Sequence, residues 1–195
     1  MSTASPAKLM TVEDFLALPD DPHVERMLIK GELWEWGCEE DMTKRNKRHT
    51  STESMIAHHL LAWVLTQPQP RGIVASGEVG CILSLNPDST VEIDVAYFTH
   101  DVAHTESGDT TLFEGPPVLA VEVLSPNVKY DALEAKIRDY LDSGVKLVWV
   151  VAPGFKTVTV YRDDENPRMY SGDEQLTGEP YLPAFSVAVS ELFQL

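Results

Sequence analysis

The sequence predicts an α/β protein, a single domain with a mixed central β-sheet flanked by helices. Three observations predict it. First, residues 117–152 read strand, helix, strand: two nearly continuous apolar runs, 117–124 and 146–152, enclose a helical stretch. That order is a crossover unit, which normally sets two strands parallel and lays the helix on one face. Second, residues 72–98 hold strand-length apolar runs separated by turn residues, the pattern of an antiparallel meander. Third, 195 residues with 43% hydrophobic and 24% charged content suffice for one real core and are short for two. No internal repeat or linker-like tract divides the chain.

The elements follow in order. Residues 1–10 read as a flexible tail and 11–195 as the domain. Thr11 is placed to cap a short helix over 11–18, with Asp14 at the capping-box position, and Pro19-Asp20-Asp21-Pro22 ends it. Runs at 27–30 and 32–36 around Gly31 suggest a hairpin or a bent strand. Ile56, Leu60, Trp63 and Val64 recur at helical spacing, and that helix stops before Pro68 and Pro70. Strands are predicted at 72–76, 79–85 and 91–98, with Asn86-Pro87-Asp88 turning between the last two. Residues 99–115 are polar and read as a loop. A second helix over 131–143 ends at Gly144. Residues 157–162 alternate as the hairpin partner of 146–152 across Pro153-Gly154, and the remainder reads as short strands and turns.

Charge and composition narrow the function. Thirty-one acidic residues against fifteen Lys plus Arg give a net charge of −16. Such a surface repels nucleic acid on average, because phosphates are held mainly by Lys and Arg. The cations are unevenly spread, however: Lys44, Arg45, Lys47 and Arg48 cluster just ahead of His49. The cluster is either a phosphate-docking patch or a solvated helix entry. Cys38 and Cys81 form no metal-binding pair, which excludes a disulfide scaffold while leaving one bridge open. No run approaches the roughly 18 apolar residues of a membrane span. The N-terminus has no apolar signal core, so a cytoplasmic protein is expected. Phosphate-loop, dinucleotide, nucleophile-elbow and zinc-protease motifs are absent.

Two acids stand where acids are costly. Glu122 sits inside Leu119-Ala120-Val121-Glu122-Val123-Leu124, a strand covered on both faces. Asp94 sits in the run 91–98, where alternation groups it with Glu92 and Ala96, and groups Ile93 with Val95 and Tyr97. An isolated buried carboxylate costs several kcal/mol. It persists if protonated, paired with a cation, or bound to a metal. Two such acids meeting on one face would be compensated by a hard divalent ion; alternatively each lies at a strand edge beside its own Lys or Arg. Lys136 borders the core stripe of the second helix, formed by Leu133, Ile137, Tyr140 and Leu141. Its stem can carry the ammonium to the strand end, or it can pair at the surface with Asp139. His59 shares a face with Ile56 and Trp63 and reads as a core or border histidine. A glycosidase also needs two carboxylates but has no call for Lys136.

The segment Pro116-Pro117-Val118-Leu119-Ala120-Val121-Glu122-Val123-Leu124-Ser125-Pro126, followed by Asp131, Lys136, Tyr140, Gly144-Val145 and Trp149, resembles the Uma2 family of restriction endonuclease-like proteins. Weaker likeness runs from Thr11-Val12-Glu13-Asp14-Phe15 through Leu28-Ile29-Lys30-Gly31-Glu32-Leu33 and His49 to Leu182-Pro183-Ala184-Phe185. The resemblance implies a PD-(D/E)XK nuclease-like fold with its site at the mouth of a strand pair. Asp94 matches the first acid of that motif, with Ile93 in place of proline, and Glu122 matches the second. The lysine position two residues on is Leu124, and Lys136 matches the lysine that this family carries on the next helix. His49 matches a recurrent histidine. The resemblance further implies Mg2+ or Mn2+ held by Asp94, Glu122 and the Val123 carbonyl, with Lys136 acting on the attacking water. A metal-dependent endonuclease acting on nucleic acid, DNA above all, is thus expected, with Lys44, Arg45, Lys47 and Arg48 as phosphate contacts. Dimerisation is compatible with an enzyme that cuts two strands. The family glutamate ahead of Leu-Ile-x-Gly-Glu is Met27 here, with Glu25 or Glu32 as substitutes. That departure favours the alternative expectation, a catalytically inactive nuclease-fold module.

Overall fold

The computed structural model describes residues 9–21, 23–37, 47–105, 111–126, 128–163 and 165–194. Most of the expected tail, together with Cys38, Lys44 and Arg45, lies outside the described residues. Helix α1, Val12–Leu16, begins as predicted: the Thr11 hydroxyl accepts the Asp14 N–H at 3.1 Å and Asp14 closes the capping box. It is shorter than the 11–18 expected. Strands β1, Val24–Ile29, and β2, Glu32–Gly37, form an antiparallel hairpin. The chain turns at Lys30 and Gly31, both at positive φ.

Helix α2, Lys47–Thr66, buries His49, Thr52, Ile56, Leu60, Trp63 and Val64 along one side. The two strands expected at 72–85 are one, β3, Ile73–Ser84, which pairs antiparallel with β4, Ser89–Phe98. A bulge at Gly77 and Glu78 interrupts β3, and its turn-like sequence is what made one strand read as two. The expected loop at 99–115 contains a short helix α3, His100–Ala103, and a two-residue strand β5, Phe113–Glu114, parallel to β3. The crossover unit is present: β6, Leu119–Val123, then α4, Tyr130–Asp142, then β7, Leu147–Ala152, parallel to β6. β8, Thr157–Tyr161, returns antiparallel to β7 and pairs with β9, Arg168–Ser171.

The main sheet runs β2-β1-β4-β6-β7-β8-β9, with β3 paired to β4 and β5 to β3. A small second sheet pairs β10, Gln175–Gly178, with β11, Leu182–Ala188. The sheet separates two apolar layers. On one face Ile56, Leu60 and Trp63 of α2 pack with Trp149, Leu176 and Leu182. On the other Ile137 and Tyr140 of α4 pack with Ile93, Phe98 and Val148. Burial on both faces explains why β6 and β7 are continuous apolar runs. No helix among the described residues is long and apolar enough to cross a membrane.

Candidate active site

Strand β4 is shared along one edge, and this sharing creates the site. Its other edge is paired with β3 from Ser89 to Phe98. On the shared edge Thr90 pairs with Leu28 of β1, and Val95, Ala96 and Tyr97 pair with β6. β1 and β6 therefore leave a notch between them, over residues 91–94. Asp94 fills it. Its Oδ2 accepts the Val123 N–H at 2.7 Å, taking over from the β4–β6 ladder where the strands part. A residue's N–H and C=O project to the same edge of a strand, so the Val123 carbonyl also faces the notch.

The bulge lies directly across β4 from Asp94. Ser76 pairs with Val95 and Val79 with Ile93, so Gly77 and Glu78 together oppose one residue. The expected grouping of Ile93 with Val95 and Tyr97 fails at this point: Ile93 packs in the α4 layer, whereas Val95 and Tyr97 belong to the α2 layer. A bulge adds local twist and re-aims side chains, which accounts for the break in alternation. As a result the two acids do not share one set of neighbours. Asp94 draws on α2, with His49 Nε2 at 3.5 Å from Oδ2. Glu122 draws on α4.

Glu122 is held at both oxygens. Lys136 Nζ donates to Oε2 at 2.9 Å, and the Tyr140 hydroxyl donates to Oε1 at 2.6 Å. The two donors are one helical turn apart, the spacing that sets side chains on a common face. Burial pushes the Glu122 carboxyl above its ordinary range; the Lys136 charge pulls it back and the charge of Asp94 pushes it further up. The two acids thus feel each other across the notch. Burial, then Glu122, raises the Tyr140 phenol, which stays a hydrogen-bond donor. Lys136 takes the inward option that the sequence left open. Asp139, its alternative surface partner, is instead 1% exposed.

The remaining expected residues are placed as follows. His49 is buried, with Nδ1 3.7 Å from Glu53 Oε2 on the next turn of α2. Lys47 and Arg48 are exposed at the start of α2. Glu25 and Glu32 are exposed on the β1–β2 hairpin, and Glu25 accepts the Trp36 indole N–H. Met27 is buried in the α4-side layer. His59 is half-buried; its Nε2 has no hydrogen-bond partner among the described residues, and burial lowers its pKa. Glu53 and the hydroxyl of Tyr140 are contacts that the sequence reading gave no role. Their i,i+4 spacing to His49 and Lys136 was the available signal.

The donor chemistry suits a hard divalent ion. Asp94, Glu122 and the Val123 carbonyl are all oxygen donors at one notch. Among the described residues no group of three or more His, Cys, Asp or Glu forms a ready cage. Mg2+ does not require one, since it typically takes one or two carboxylates and completes its shell with water and substrate phosphate.

Comparison with known proteins gives two findings. The model of a family named Uma2, described as "Putative restriction endonuclease", matches residues 12–190. A crystal structure described as a putative nuclease belonging to DUF820, from Anabaena variabilis, superposes with a TM-score of 0.75 at 19% identity, covering 94% of this chain and 97% of that one. At that identity the likeness establishes a shared fold. A search of curated proteins returns no match.

Proposed function

The chain belongs to the Uma2 family, and from that membership and the notch chemistry we propose that it is a metal-dependent nuclease hydrolysing phosphodiester bonds. The observation that carries this reading is the joining of three groups from three elements: Asp94 at the parting of β4 and β6, Glu122 beside it, and Lys136 of α4 at 2.9 Å from Glu122. A buried acid pair with an adjoining lysine is costly as a stability device and useful as a reaction site.

Asp94, Glu122 and the Val123 carbonyl would hold Mg2+ or Mn2+. When bound, the ion supplies Lewis-acid polarisation of a phosphate and offsets the acids. The protein's own groups do the rest. The Val123 N–H pins Asp94 so that its carboxylate stays in the notch. Lys136 holds its protons at Nζ and can turn a hydrogen bond from Glu122 to a water or a phosphate oxygen entering the site. Tyr140 keeps Glu122 oriented when Lys136 lets go. His49, with Glu53 behind it, lines Asp94 on the α2 side. Lys44, Arg45, Lys47 and Arg48 serve as phosphate contacts that offset the acidic surface locally. DNA is the expected substrate. The acid–acid–lysine set is completed within one chain; a homodimer would serve to cut a second strand, and sedimentation reads that directly.

The test combines cleavage with metal-dependent melting. The wild-type protein should cut an oligonucleotide with Mg2+ or Mn2+ and not with EDTA. Lys136→Met should lose about 10²- to 10⁴-fold in rate. At ten times its dissociation constant an ion adds about 1.4 kcal/mol, or roughly 3–6 °C in Tm for a chain of this size. Asp94→Ala should remove that rise. Absence of both cleavage and a metal-dependent rise in the wild type would refute the reading. One observation favours a second reading, a non-catalytic module: Met27 is packed in the core where the family resemblance implies a glutamate, and Glu25 and Glu32 are exposed. Under that reading the chain melts identically with and without metal.

A further inference from the structure

The two most exposed large apolar side chains among the described residues, Phe155 and Tyr130, follow the strand pair that carries Glu122. β6 and β7 are parallel, with Val123 beside Val151, so everything that follows them emerges at the end of the sheet where Glu122 lies. After β7 the turn 153–156 carries Phe155, 85% exposed, followed by Lys156. After β6 the chain reaches Tyr130, 70% exposed, at the first turn of α4, preceded by Lys129. At roughly 3.3 Å per residue, Phe155 is within about 13 Å of chain from Val151 and Tyr130 within about 23 Å from Val123. Lys129 is the N-cap of α4 and makes no side-chain cap, so a cation sits at the positive end of the helix dipole. Asp131 in the same turn offsets it only in part. Lys47 and Arg48 start α2, two residues and one residue ahead of His49, whose ring faces Asp94. On a chain of net charge −16, cations and exposed rings thus stand at the ends of the elements that bring the buried acid pair together.

We propose that this end binds a single nucleic-acid strand, with Tyr130 and Phe155 stacking on unpaired bases and Lys129, Lys156, Lys47 and Arg48 holding the neighbouring phosphates. The inference rests on the nuclease reading and names its substrate class. A duplex offers base edges and phosphates to a protein surface; its base faces are covered by their neighbours. Rings standing free beside lysines match the other arrangement, in which each exposed base face takes a ring and the backbone tracks a basic groove. Every base has such a face, so this recognition is tolerant of sequence.

Fluorescence anisotropy with a labelled thymidine strand of about 12 nucleotides, and with the corresponding duplex, tests it, using Ca2+ in place of Mg2+ so that the probe stays intact. The wild type should favour the single strand. Phe155→Ala and Tyr130→Ala should each weaken strand binding about 5- to 100-fold, while Phe155→Trp and Tyr130→Phe should retain it. Both positions are exposed, so circular dichroism and melting should not change. Alanine variants that bind as the wild type does would overturn the inference and leave the nuclease reading standing. So would a preference for duplex, or a dimer that dissociates in Phe155→Ala with strand affinity unaltered, since the patch would then face a second copy. A wild type that binds neither probe would remove both readings. Stacking-dependent binding without cleavage in Mg2+ would remove the catalytic reading alone, and Asp94→Asn should reproduce that state by design.

Discussion

Glu122 and Asp139 are both buried acids where α4 meets the sheet, the first on β6 and the second on α4, and they differ in what surrounds them. Glu122 has a donor on each oxygen. Asp139 has no hydrogen-bond partner on either oxygen among the described residues. Ser89 lies beside it; that hydroxyl accepts the Lys30 N–H at 2.9 Å and keeps its own proton to turn towards the carboxyl, while the Lys30 ammonium is taken by Asp142. Burial pushes the Asp139 carboxyl up, with Ser89 and the Lys30 charge pulling down and Asp142 pushing up. A carboxyl raised in the folded state binds its proton more tightly there than in the unfolded chain. Its contribution to stability is therefore full below the ordinary carboxylate value and is lost as pH rises through the folded-state value. Asp139→Asn should consequently raise stability at pH 7 by about 1 kcal/mol, and the gain should shrink towards pH 4; melting curves of both proteins at the two pH values check it. A gain independent of pH would mean that the carboxyl is not the cause. The thiol of Cys81, pushed up to about 12 by burial, is inert by the same physics.

At the scale of elements, the site depends on the β3 bulge. Gly77 has φ +92 with open space around the position of a Cβ, so a side chain there meets strain and no clash. Gly77→Val should cost about 1–2 kcal/mol for a left-handed backbone, roughly 2–8 °C in Tm. If the bulge is what turns β4 over at Asp94, the metal-dependent rise in Tm should fall with it. A variant that melts lower and keeps the full metal response would separate the bulge from the site. Helix α4 contributes in a simpler way. Its core stripe and its site residues are the same stripe, so Tyr140 anchors the helix while its hydroxyl orients Glu122.

For the whole molecule, −16 is an electrostatic load. Like charges on a compact body repel, and salt screens them over about 10 Å at 0.1 M. Raising NaCl from about 50 to 200 mM should therefore raise the Tm of the free protein. The same change should weaken strand binding, because bound cations release counterions. Four phosphate contacts imply a slope near −3 in log affinity against log salt. The two signs are opposite, and parallel melting and anisotropy series read both. A salt-independent affinity would show that phosphates are not held by the cations named above.

The sequence by itself determined the class of fold and singled out two acids and a lysine that the structure brings together. Apolar runs at 117–124 and 146–152 around a helix leave little freedom beyond a parallel pair with a covered face, and the sheet has that pair. An acid inside such a run is conspicuous because burial is expensive, so Asp94 and Glu122 were legible, and so was Lys136 at the border of a helical stripe. What only the tertiary structure decided was direction. One strand read as two because Gly77 and Glu78 look like a turn, and the resulting twist sends Asp94 towards α2 while Glu122 keeps α4. Lys136 could have turned outwards to Asp139; packing of α4 against the sheet buried Asp139 and brought the ammonium to Glu122. Periodicity is a local property and names the face of an element. Which neighbours that face meets depends on pairings distant in the chain, such as the one edge of β4 shared by β1 and β6, and no local pattern carries that information.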